Sequence, residues 1–318
     1  MSWFLLILGL ALLIKGADWA VEGGSGLARK FGVSELFIGL SIVSIGTSLP
    51  ELAVSIGASL KGNGAISVSN VIGSNIANIG LGISIAALVH PILIERSTLR
   101  KELPFNLLVG VVLSAMLLRS VPPSLDRVDG LILLSFALIY FDYLTGMTKN
   151  KPLKGIGAAS TTSEKEENES LVKLILITSV GLLGVTFGGD LTVDAAVDIA
   201  KGFGVSETLI GLTLVAVGTS IPEVVTTTVA MAKKKHGIAA GNIVGSNIFN
   251  IVMILGVASV IRDIKMDVTN ILPDLIYMNA LPVILLFLTG KKSTLSRSSG
   301  AILLVLYVLY ITFAVLRG

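Results

Sequence analysis

The sequence predicts an all-α integral membrane protein in which ten transmembrane helices form two inverted repeats of five. Three observations lead there. Of 318 residues, 53% are hydrophobic and 14% charged, and the mean hydropathy is +0.88, too apolar for the exterior of a soluble globule. The apolar runs fall between polar breaks into ten segments, each long enough for a bilayer that takes roughly 20 residues per helix. Finally, the chain repeats itself at an offset of 172 positions.

The first span, at about 3–29, opens MSWFLLILGLALLIKGADWA. It has no basic leading region and no clean cleavage site, so it reads as a retained helix rather than a signal peptide. Spans at about 34–60, 66–89, 103–119 and 125–147 complete a first unit, residues 1–148. Residues 149–170 include KPLKGIGAASTTSEKEENES, whose Gly, Ser, Thr and mixed charges cannot build a core, and they read as a linker. Spans at about 171–201, 206–232, 238–261, 270–289 and 297–316 form the second unit, residues 171–318.

Counting loop sides alternately along these spans puts 15 Lys and Arg on one side and seven on the other. The positive-inside rule places the richer side in the cytoplasm, with the 149–170 linker there and both termini outside. The formal charge of +3 therefore belongs to membrane topology and not to a nucleic-acid surface. The implied localisation is a cell membrane crossed many times, with the lipid bilayer as partner and no protein partner evident. Absent cysteines exclude disulfides, iron–sulfur clusters and thiolate nucleophiles, and two histidines argue against an imidazole-ligated metal. His90 and His236 read as ordinary solvated side chains at loop edges.

The repeat is carried by three aligned blocks: GVSELFIGLS with GVSETLIGLT, IVSIGTSLPE with LVAVGTSIPE, and NVIGSNIANI with NIVGSNIFNI. They match at 7, 6 and 7 of ten positions, and Gly, Pro, Asn and Glu are among the matches, so shared hydrophobicity is not the cause. Five helices per unit is an odd number, so the second copy enters the membrane from the opposite side. The loop KGNGA and its counterpart KKKHGIA differ in charge as inversion requires. Inverted five-helix repeats are an architecture of secondary transporters, which hold substrate near the midplane between the copies. Asp18 aligns with Asp190 and Glu22 with Asp194 in the first and sixth helices. We leave these four outside the candidate site, with Lys15 as the expected partner of Asp18.

Glu51 and Glu223 lie inside apolar spans, where a charge costs about 2.5–3.5 kcal/mol or more. Pro50 and Pro222 precede them, and a helix-interior proline would leave the carbonyl of Gly46 or Gly218 without its amide partner. Each GTS segment adds two hydroxyls, Thr47 and Ser48 or Thr219 and Ser220. In the other motif Ser74 and Asn78, or Ser246 and Asn250, stand four apart on one helix face. Asn70, Asn75, Asn242 and Asn247 are expected to bond backbone or the facing helix. Carboxylate, hydroxyl, amide and carbonyl oxygens without sulfur or imidazole suit hard cations such as calcium, which takes six to eight oxygen ligands. Two glutamates balance one divalent ion or two sodium ions. No cofactor and no catalytic residue is expected.

GTSLPE with GSNIAN, and GTSIPE with GSNIFN, resemble the two alpha repeats of the sodium/calcium exchanger branch of the calcium/cation antiporters. The resemblance implies secondary-active exchange of sodium for calcium, with these ions as substrates, and electrogenic three-for-one coupling as the family expectation. It implies that Glu51 and Glu223 form the central calcium position, and that Thr47, Ser48, Thr219, Ser220, Ser74 and Ser246 contribute to flanking sodium positions. Backbone carbonyls at Ser44 and Ala216 complete the pattern, and Asn78 fits the motif directly. Asn250 departs from relatives with Asp there, a residue associated with potassium dependence in one branch, and so weighs against that dependence. Proton/calcium exchange on the same fold is the alternative; a membrane enzyme would need a nucleophile or metal centre that the sequence lacks, and a channel would need no counter-ion.

Overall fold

The computed structural model describes residues 1–149, 169–204, 216–266, 271–290 and 292–317. Most of the linker and residues 205–215 lie outside these. Long apolar helices dominate: α1 (Ser2–Phe31), α2 (Glu35–Thr47), α3 (Leu49–Leu60), α4 (Gly64–Val89), α5 (Thr98–Leu118) and α6 (Arg127–Thr148) in the first half. The second half contributes α7 (Leu171–Gly202), α8 (Ile221–Ala232), α9 (His236–Ile261), α10 (Leu272–Thr289) and α11 (Arg297–Arg317). Among the described residues eight helices can each cross a membrane, and the bent pair α2 and α3 makes up to nine.

Burial separates the helices into two classes. Of the most apolar window of each, 78% is buried in α4 and 83% in α9, against 22–44% in the other long helices. The two GSN-bearing helices are therefore the centre of the molecule, and the others turn large apolar side chains such as Phe4, Leu138 and Phe187 outward, as lipid-facing helices do. Outside this core α1 lies along α7. A Cβ on Gly16 would sit 2.6 Å from the backbone nitrogen of Val185, and one on Gly188 2.5 Å from that of Leu13. Glycine at both positions lets the two backbones touch.

The sequence reading makes 34–60 one helix with Glu51 in its interior. The chain instead breaks at Ser48, where α2 and α3 meet at 47°, and Pro50 opens α3. A proline in a first turn removes no hydrogen bond, because the amides there have no intrahelical partner. Glu51 consequently sits in the first turn of α3, and Glu223 behind Pro222 in the first turn of α8. The positive end of each helix dipole offsets part of the cost of a buried carboxylate.

Two short strand pairs, which the helical reading did not anticipate, tie the halves together outside the helices. β1 (Ile92–Leu93) pairs antiparallel with β4 (Thr294–Leu295), and β2 (Ser124–Leu125) with β3 (Ile264–Lys265). Near β1 the rings of His90 and His236 lie 5.7 Å apart, both half-buried. The Leu93 amide donates to His236 Nδ1 at 3.2 Å, so this pair packs together where solvated side chains were expected. Asp18 also differs from expectation: Lys15 approaches to 4.0 Å, but Lys233, at the end of α8, approaches to 2.6 Å.

Candidate cation site

The break at Ser48, the first turns of α3 and α8, and the middles of α4 and α9 converge in the core. Glu51, Glu223, Ser44, Thr47, Ser48, Ser74, Ser220, Ser246, Asn78 and Asn250 are all fully buried. Glu223 Oε1 accepts from Ser48 Oγ at 2.8 Å and from Ser246 Oγ at 3.3 Å. Ser246 Oγ also lies 3.3 Å from the Ser44 carbonyl oxygen. In the other half Ser74 Oγ donates to Glu51 Oε1 at 3.4 Å and lies 3.4 Å from Thr219 Oγ1. The motif residues around the two glutamates thus form one cluster, in which Ser48 of the first half reaches the carboxylate of the second and Thr219 of the second meets the Ser74 hydroxyl beside the carboxylate of the first. Ala216 begins a single helical turn, Ala216–Gly218, and its side chain lies outside the described set.

Around this cluster the remaining asparagines act as braces. Asn70 Nδ2 donates to the Glu51 carbonyl at 3.2 Å and to Ser55 Oγ at 3.0 Å. Asn242 repeats the arrangement on the Glu223 carbonyl at 3.3 Å and Thr227 Oγ1 at 3.0 Å. Thr219 Oγ1 donates to Asn70 Oδ1 and Thr47 Oγ1 to Asn242 Oδ1, so each amide links the helix after one break to the hydroxyl at the other. Asn75 and Asn247 clasp α4 to α9, each donating to the other's backbone carbonyl, at 3.1 and 3.3 Å. Their side-chain oxygens accept from Asn250 and Asn78 at 3.2 and 3.0 Å.

Those bonds fix which atoms remain free. Glu51 Oε2, Glu223 Oε2, Asn78 Oδ1, Asn250 Oδ1 and Ser220 Oγ are buried without a hydrogen-bond partner among the described residues. Unpaired buried oxygens, two of them on carboxylates, are costly unless something electropositive meets them. The first four form two pairs, each 172 positions apart, and every neighbouring donor is a hydroxyl or an amide. An all-oxygen set of this kind matches hard monovalent and divalent cations. Sequence reasoning missed Ser55, Thr227 and Thr226, the last a buried α8 hydroxyl with no hydrogen-bond partner among the described residues; for the threonines, the run Thr226–Thr228 in an apolar helix was the available signal.

A family model described as Sodium/calcium exchanger protein matches residues 1–146 and 173–316, nearly the whole chain. The chain belongs to that family. The family is one of exchangers, secondary transporters rather than enzymes, and its relatives are multi-pass membrane proteins. It is 36% identical to inner membrane protein YrbG of Escherichia coli over 291 residues, covering 91% of this chain and 89% of the relative. It is 32% identical to the sodium/calcium exchanger MaX1 of Methanosarcina acetivorans, covering 98% and 97%. Among solved structures it is similar to the sodium-calcium exchanger NCX_Mj soaked with zero Na+ and Ca2+. The TM-score is 0.81 and the identity 31%, with 98% of both chains covered. Against this family background, the cluster of repeat-related oxygens is the natural candidate for the exchanger's cation site.

Proposed function

We propose that this protein exchanges sodium for calcium across a cell membrane by alternating access. One observation carries the reading: two buried glutamates and two buried asparagines, related by the 172-residue repeat, each leave an oxygen unpaired in one shared cluster. Glu51 and Glu223 hold calcium between them. Thr47, Ser48, Ser74, Thr219, Ser220 and Ser246, with the carbonyls of Ser44 and Ala216, form the overlapping sodium positions, and Asn78 and Asn250 line the centre.

Mutual exclusion produces the exchange. Two carboxylates give the site a charge of −2, which one calcium ion neutralises and three sodium ions convert to +1, so three-for-one exchange carries net charge. Neither loading leaves both glutamates bare, and a bare site in the low-dielectric core is the costly state. The name of MaX1 and the sodium and calcium soaks of NCX_Mj support sodium coupling.

The topology proposed with this function has ten spans in two inverted repeats, residues 1–148 and 171–318. Both termini face outside and the 149–170 linker faces the cytoplasm. The seventh span, at about 206–232, begins in residues outside the described set and ends in α8. Inversion supplies the mechanism, because two copies of opposite orientation can exchange conformations and so open the site to either side.

The test is calcium uptake into proteoliposomes loaded with sodium and diluted into sodium-free medium, with potassium and choline as external cations. Uptake that requires internal sodium, survives collapse of the proton gradient and carries charge supports the reading. Uptake driven by protons alone would replace the coupling ion, and uptake without any counter-ion would point to a channel.

A further inference from the structure

Away from the cation cluster, a cavity of about 240 Å³ opens between α5 and α6, lined by Lys101, Glu102, Phe105, Ile139, Tyr140 and Tyr143. One of its lining residues is an acid. Glu102 is 1% exposed; its Oε1 accepts from the Tyr143 hydroxyl, and its Oε2 is buried without a partner.

The second half of the chain provides an internal control. Glu102 and Phe105 of α5 correspond, at the 172 offset, to Asp274 and Tyr277 of α10. On the neighbouring helix the offset is 170: Gly130 packs against Gly256 and Val260, and Gly300 against Ser84 and Leu88, contacts that are themselves 172 apart. Tyr140 therefore corresponds to Tyr310, and Met147 to Arg317. The rings stack in both halves, Phe105 on Tyr140 at 6.0 Å and Tyr277 on Tyr310 at 4.4 Å. The acids then part ways. Asp274 is held by the Arg317 guanidinium at 2.8 and 2.9 Å and by the Tyr310 hydroxyl at 2.8 Å. Glu102 has Met147 where that arginine would stand. In one half the cation is built into the chain; in the other the equivalent acid lines a cavity.

We propose that this cavity binds the ammonium headgroup of a phosphatidylethanolamine-type phospholipid, with Glu102 Oε2 as acceptor and Lys101 facing the lipid phosphate. A bare metal ion fits poorly, since calcium takes six to eight oxygens and the walls here are mostly apolar and aromatic. The volume is about that of eight waters in the liquid, room for an organic headgroup. The opening favours a lipid over a soluble amine: Ile139 is 57% exposed beside Leu138 at 72%, on a face of α6 that meets acyl chains. Lys101 Nζ sits 5.6 Å over the Tyr143 ring at the rim, and Arg100 lies next to it in sequence. A primary ammonium donates hydrogen bonds and can ride against aromatic faces, whereas a quaternary choline cannot donate to Glu102.

Native mass spectrometry of the purified full chain, with phosphatidylethanolamine and phosphatidylcholine of matched acyl chains added in equal amounts, tests this directly. Wild type is expected to retain the ethanolamine lipid by roughly tenfold over the choline lipid, the scale of one charge-assisted hydrogen bond. Glu102→Gln should reduce the two to equal retention. Ile139→Trp, which fills the cavity from its exposed rim and leaves Glu102 in place, should do the same with calcium exchange intact, and it decides the matter if Glu102→Gln does not fold. Equal retention by wild type, or a preference that survives Ile139→Trp, overturns the proposal.

Discussion

Ser48 Oγ donates to Glu223 Oε1 at 2.8 Å, while Ser220, its counterpart in the repeat, leaves its hydroxyl buried without a partner among the described residues. The two halves share motifs but are not in the same state. A hydrogen bond to a charged group contributes about 1.5–3 kcal/mol, so Ser48→Ala should destabilise the ion-free protein by about that amount. Ser220→Ala should change it little, because no bond is lost. Thermal unfolding in detergent without sodium or calcium measures both; equal losses would mean that the asymmetry does not persist in solution.

Asn250 is the point at which this chain departs from the pattern its resemblance implies. Its Nδ2 donates to Asn75 Oδ1 at 3.2 Å, leaving Oδ1 buried and unpaired. Asn250→Asp adds a third carboxylate and removes that donor. The expected outcome is transport that has become dependent on pH or on potassium. Unchanged sodium, potassium and pH profiles would place Asn250 outside the ion path.

The long helices α1 and α7 touch through glycines, and a Cβ on Gly16 would lie 2.6 Å from the Val185 nitrogen and 2.7 Å from the Gly181 carbonyl oxygen. The obstacle is backbone, which cannot rotate away. Gly16→Ala should therefore separate the pair locally at a cost of about 1–3 kcal/mol, the usual range for overpacking. A Gly57→Ala control, with no neighbour among the described residues within 4 Å of its Cβ, should leave the unfolding temperature nearly unchanged.

The entry to α6 is held by carboxylates. Asp126 Oδ1 accepts from the Asp129 amide at 3.0 Å, Asp129 Oδ2 accepts from the Asp126 amide at 2.9 Å, and Arg119 bridges both side chains. The bond from the Asp129 amide, aided by Arg119, holds the Asp126 carboxyl below its ordinary value. A lowered folded-state value means that the contribution to stability is complete above the unfolded carboxylate range, and is lost as pH falls through the folded value. The protection of the first amides of α6, measured as the hydrogen-exchange rate relative to the intrinsic rate at each pH, should therefore be constant from neutral pH down to about the ordinary carboxylate value and fall below it. After Asp126→Ala, the protection should already be reduced at neutral pH.

Much of the site was legible because it is written twice. Glu51, Ser74 and Asn78 recur as Glu223, Ser246 and Asn250, and four-residue spacing on a helix places Ser and Asn on one face whatever the tertiary fold. The bend at Ser48 was not legible, since Pro50 reads the same as a kink inside one helix or as the first turn of the next. Nor was the difference between Ser48 and Ser220, which depends on how two identical motifs dock. Glu102 and Asp274 show the same limit: nothing in their spacing sets them apart, and only the packing of α5 on α6 and of α10 on α11 reveals one paired and one lining a cavity. His90 and His236, 146 positions apart, meet where the end of α4 lies beside the start of α9, a tertiary contact that helical periodicity does not encode.

The central claim is that one buried site, built from Glu51 and Glu223, holds calcium or sodium but not both fully. Equilibrium binding of radioactive calcium to the purified protein over a sodium titration tests it most directly. The account predicts one calcium per chain, displaced by sodium with a steep, multi-ion dependence, and abolished by Glu51→Gln or Glu223→Gln in variants that remain monodisperse. Calcium binding that is indifferent to sodium, or that survives in either glutamine variant, would contradict it.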